Sequence, residues 1–204
     1  LIELGAGASM LILGAKCYAL WVLLLLLAVV SYDYLHKKWS GGFVLMGGCR
    51  LFLWLAAAST GGMNLIAPQT WIWGLALFVY VMGISLFARG ESQKQETPAR
   101  LAILFLFSSP LIALAGLIYW HQIDPIRQTL INLTGLLVAW IAFRSIQEMR
   151  SSREGAIGEG VSRLLAGICA VDAVAVSFYL PALVVPCLCC VSLAHLLQKR
   201  FAAT

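Results

Sequence analysis

Apolar residues fall in eight long runs, at about 1–15, 17–35, 42–60, 68–88, 99–120, 127–147, 160–180 and 181–198, with polar residues gathered in the gaps between them. None of the runs alternates strictly between apolar and polar positions as a barrel strand does. The interior ones approach the roughly 20 residues that a membrane-crossing helix needs. A chain in hydrocarbon must satisfy its own backbone hydrogen bonds, which leaves helices as the consistent choice. The pattern predicts an all-α fold: a polytopic transmembrane helical bundle of about eight membrane segments, forming a single domain over residues 1–204.

Turn chemistry marks the ends of the runs. Gly41-Gly42, Gly61-Gly62, Pro68, Gly90, Pro98 and Asp124-Pro125 each stand where a run stops or starts, and Leu180-Pro181 predicts a tight turn between the last two. Gly47-Gly48, Gly74, Gly83 and Gly116 lie inside runs, where a missing side chain lets helices approach closely. The first run is short, covering about 22 Å against a hydrocarbon core of about 30 Å. It also opens at Leu1 with neither an initiating Met nor a basic stretch before it, so we expect an N-terminally truncated fragment.

Composition agrees: 61% of residues are hydrophobic, 11% are charged, and the mean hydropathy is +0.90. A soluble domain is about one quarter charged. The net charge of +5 must therefore be read by location. One set of loops and helix ends collects Lys37, Lys38, Arg89, Lys94, Arg100, Arg144, Arg150, Arg153, Arg163, Lys199 and Arg200, whereas the other side holds only Lys16 and Arg127. The positive-inside rule makes the first side cytoplasmic. The expectation is an integral, multi-pass protein of a bacterial plasma membrane with its active face in the cytoplasm. No basic patch with interleaved aromatics points to nucleic acid. The six cysteines lie within or beside apolar runs and lack paired CxxC spacing, so they read as packing residues.

Against this background a few polar residues stand out. Arg50 lies inside the third run, where a guanidinium facing lipid costs roughly 2.5–3.5 kcal/mol or more, and so calls for a polar cavity. Tyr32, Asp33, His36, Lys37 and Lys38 lie just before that run. Arginine forks onto phosphate oxygens and lysine adds point charge, so this set is suited to a diphosphate. Tyr80, Ser85, Arg89, Glu91 and Glu96 form a second candidate cluster. Asp172 lies deep in the seventh run, as a proton relay, a buried partner to a base such as Arg163, or a neutral acid bonded between helices. Asn132 reads as a bridge between helices. Arg144 with Glu148, and Glu159 with Arg163, have the spacing of helical surface pairs. His121 and His195 stand alone.

The sequence Tyr32 to Lys37, followed by Gly47-Gly48-Cys49-Arg50, resembles the UbiA family of intramembrane prenyltransferases. It is most similar to an EboC-like branch with a Tyr-x-x-x-x-Lys element before a Met-Gly-x-Cys-Arg element. The segment from Tyr80 to Glu91, with its Ala-Arg-x-Glu ending, and the Arg-Phe-Ala-Ala-Thr terminus at 200–204 carry the resemblance further. It implies a helical bundle that transfers an isoprenoid chain from a prenyl diphosphate to a small, often aromatic acceptor. It also implies Mg²⁺ as cofactor, a diphosphate-binding set of Tyr32, Lys37, Arg50 and Arg89, and Glu91 as a metal ligand. The chain departs from the family in lacking the first Asp-rich motif and the two helices before it. At the second motif Arg89 and Glu91 stand where two aspartates are usual. A membrane transporter or lipid-handling protein without catalytic activity, with Arg50 and Asp172 in a substrate path, is the alternative, although no inverted repeat is visible. A structural subunit is a third class.

Overall fold

In the computed structural model, the residues described are 2–36, 39–60, 68–93, 99–119, 123–151, 153 and 155–200. All eight apolar runs are helical, and the described residues contain no strand. Helix α1 (Ile2–Ser9) continues into a π-turn (Met10–Gly14). It is followed by α2 (Ala19–Leu35), α3 (Gly42–Ala58), α4 (Pro68–Gln93), α5 (Ala99–Tyr119), α6 (Pro125–Met149) and α7 (Ala156–Tyr179). A single 3₁₀ turn, Pro181–Leu183, leads into α8 (Val184–Arg200), as the Leu180-Pro181 step predicts.

Among the described residues, four stretches are long and apolar enough to cross a membrane: Thr70–Arg89, Pro125–Met149, Ala156–Tyr179 and Pro181–Gln198. Helices α2 and α3 are shorter, at 17 residues each. At 1.5 Å per residue these two cover about 26 Å, at the lower limit for a span. The runs in the sequence are longer than these helices because the polar turn residues between them end each helix early.

Helix α4 is the hub of the bundle, packing on α3, α5 and α7. Trp73, Leu77, Tyr80 and Ile84 recur at helical spacing along it and are buried in one core with Leu106 of α5, Ile131 and Val138 of α6, and Leu164 and Val171 of α7. Tyr80 is fully buried, and its hydroxyl donates to the Leu164 carbonyl at 3.0 Å, tying α4 to α7. Close approach depends on glycine. A Cβ on Gly47 would come within 2.9 Å of both Met82 and Phe78 of α4, and one on Gly83 within 2.9 Å of Leu106 of α5.

The connection between α6 and α7 is held by charge. Arg153 pairs with Glu148 at 2.9 Å and also with Glu159, and Arg163 lies 3.7 Å from Glu148. The expected pairs Arg144–Glu148 and Glu159–Arg163 are not the ones formed. Glu148 instead reaches across to the second helix, and Arg144 lies over the Trp140 ring, 5.8 Å from its centroid. Asn132 is exposed on α6 and makes no bridge among the described residues.

Candidate functional site

The site begins with the α2–α3 hairpin. At its far end the Tyr18 N–H donates to the buried Ser59 Oγ at 3.0 Å, Ser59 Oγ donates to the Ala56 carbonyl at 2.7 Å, and Cys17 Sγ lies 3.9 Å from Thr60 Oγ1. These contacts latch the start of α2 to the end of α3. Cys17, Val22 and Ala56 close a small apolar cluster there, with Leu11, Ala15 and Trp21 against it. At the near end the Tyr32 and His36 rings stack, 5.2 Å apart, and the His36 Nδ1–H donates to the carbonyls of Tyr32 and Asp33.

Between these ends α1, α2 and α3 line a chamber of about 400 Å³ that is partly open at its side. Its walls are aliphatic along Leu11, Val22, Leu25, Leu26, Val29 and Leu53, and its polar groups are Tyr32, Arg50 and Glu3. Arg50 makes no hydrogen bond and no ion pair with any of the described residues. Its guanidinium therefore presents donors unused by those residues to an apolar chamber. Five N–H groups in a planar fork match phosphate or carboxylate oxygens. Asp172 of α7 lies within Coulombic range of Arg50 but forms no ion pair with it.

Tyr32 also lines a second cavity, of about 540 Å³, with His36, Ser85, Arg89 and the apolar residues Phe43 and Ile84. Here the arginine is committed. Arg89 donates to the carbonyls of Trp39 at 2.7 Å, His36 and Ser40, where the chain turns from α2 into α3 and the Trp39 carbonyl also accepts from the Gly42 N–H. Ser85 Oγ donates to the Val81 carbonyl on its own helix.

The structure thus brings Tyr32 and Arg50 together in one chamber and Tyr32 and Arg89 in the next. Lys37 and Lys38 lie outside the described residues, as do Glu96 and His121 and the side chain of Glu91, whose backbone continues α4. Tyr80 leaves the candidate cluster, because its ring fills the core beneath α7. Arg163 is engaged with Glu148 and does not serve Asp172. Asp172 lines a void of about 10 Å³ with Trp54, Trp73 and Ser109, room for about one water. Sequence reasoning passed over Glu3, although the signal was the one that singled out Arg50: a lone charge within an apolar run.

Mg²⁺ needs several oxygen ligands, supplied by carboxylates and by the substrate's phosphates. Among the described residues no three His, Cys, Asp or Glu side chains lie together to hold a metal ion, so those residues do not fit it. No family model, no curated protein and no solved structure matches this chain.

Proposed function

We propose that the chain acts as an intramembrane prenyltransferase of the UbiA type, moving an isoprenoid chain from a prenyl diphosphate to a small, possibly aromatic acceptor. The observation that carries this reading is Arg50, a guanidinium without a partner among the described residues, lining an apolar chamber. An amphiphile with an anionic head and a hydrocarbon tail matches that arrangement at both ends. In the reaction the allylic carbon–oxygen bond breaks, and the diphosphate leaves with the electron pair. The allylic carbon bonds to a nucleophilic carbon of the acceptor, which releases a proton. Arg50 stabilises the charge growing on the leaving oxygens, a form of catalysis in which fixed donors act where charge develops. Tyr32, at the boundary of both cavities, borders the diphosphate on one side and the second cavity on the other.

In this reading all eight helices cross the membrane, with α2 and α3 as short spans, and the turn held by Arg89 lies on the cytoplasmic side with the other basic loops. Transport is less well supported, because Asp172 opens on a void that holds one water and not on a path. The test is to incubate the reconstituted protein with a labelled prenyl diphosphate and an aromatic acceptor, and to follow diphosphate release and prenylated product. Acceptor-dependent release is expected. Transport of label across the bilayer without bond cleavage would overturn the assignment.

A further inference from the structure

The chamber beside Arg50 has a closed end as well as a polar mouth. Val22 lines the chamber and is also one of the three buried residues of the cluster behind it, at 1% exposure. Leu11 reaches the same place from the turn that follows α1. The latch of Tyr18, Ser59, Cys17 and Thr60 lies just beyond and keeps α2 and α3 from parting. A tail entering from Arg50 and Tyr32 therefore meets a wall it cannot pass. From Val22 to Tyr32 the chamber follows ten residues of α2, about 15 Å at 1.5 Å per residue. That is the reach of an extended farnesyl chain.

We infer that this chamber selects a single prenyl tail of farnesyl length, with its head at Arg50 and Val22 as the end wall that sets the limit. The inference rests on the proposed prenyl diphosphate reading for its headgroup, but the length limit belongs to the walls alone. A geranyl tail leaves part of the chamber unfilled, whereas a geranylgeranyl tail must fold back or leave its end outside. Burying one further methylene is worth about fourfold in affinity, so accommodating two more gives roughly fifteenfold.

The experiment measures binding of geranyl, farnesyl and geranylgeranyl S-thiolodiphosphates to the whole chain in nanodiscs, alongside n-alkyl phosphates of graded length. Wild type should prefer farnesyl. Val22→Ala should improve the geranylgeranyl probe about fifteenfold relative to farnesyl, and Val22→Phe should shift the preference to geranyl. Leu11→Phe, on a different segment, shortens the chamber without removing any hydrogen-bonding group of the α2–α3 latch and should act as Val22→Phe does if that variant misfolds. Prenyl probes that bind through Arg50 with a length order indifferent to Val22 and Leu11 would overturn the inference and leave the prenyltransferase reading in place. Alkyl phosphates that show the Val22-dependent limit while no prenyl probe binds would support the inference and defeat that reading. If neither series shows a length limit, the inference falls.

Discussion

The packing of α4 against α7 can be tested at a single atom. Gly167 of α7 faces Tyr80, and a Cβ added there would stand on the Tyr80 hydroxyl and 3.0 Å from Ile141 Cγ2. Tyr80 has nowhere to go: it is fully buried in the core, and its hydroxyl is held by the Leu164 carbonyl. Gly167→Ala must therefore shift the ring or part the helices, and overpacking of this kind costs about 1–3 kcal/mol. For a chain of this size that lowers Tm by several degrees, at about 2–4 °C per kcal/mol. Tyr80→Phe alone removes one neutral hydrogen bond, at about 1 kcal/mol. It also removes the very oxygen that the added methyl would strike. The double variant should thus be less destabilised than the sum of the singles, by about 1 kcal/mol. Thermal unfolding of the four proteins in one detergent measures this. Strict additivity, or a Gly167→Ala variant as stable as wild type, would refute the account of the α4–α7 contact.

Two further expectations concern the connections. Arg89→Gln withdraws charge-assisted bonds from carbonyls at the α2–α3 turn, at about 1.5–3 kcal/mol each. It should speed amide exchange around residues 39–42, which hydrogen–deuterium exchange would detect. In the α6–α7 connection the exposed Arg153 contributes less than about 1 kcal/mol, as exposed ion pairs do. Glu148→Gln should cost more than Arg153→Gln, because it strips the counter-charge from both Arg153 and the less exposed Arg163; equal melting temperatures would contradict this.

The helices were legible because apolar runs punctuated by Gly and Pro leave the backbone few alternatives, and Gly47, Gly74 and Gly83 do lie where neighbours crowd. Arg50 was legible for a related reason, since a charge within such a run must face something other than lipid. The partners of the other charges were not. Helical spacing pairs Arg144 with Glu148, but the fold swings Arg153 and Arg163 onto Glu148 from beyond the turn, which only the α6–α7 packing decides. Arg89 joins Arg50 in the set that the resemblance assigns to diphosphate, yet it is spent on the carbonyls of a turn about fifty positions earlier. The closed end of the chamber was likewise hidden, because Tyr18, Ser59 and Thr60 carry no pattern until α2 folds back on α3.

The most direct test of the central claim is equilibrium binding of farnesyl S-thiolodiphosphate to wild type and Arg50→Gln in nanodiscs. Losing a bidentate, charge-assisted contact of about 1.5–3 kcal/mol should weaken binding about tenfold or more, with melting temperature little changed because Arg50 has no hydrogen bond to a described residue to lose. Equal affinity in the two proteins would show that Arg50 does not hold the headgroup, and the chamber would lose its assigned ligand.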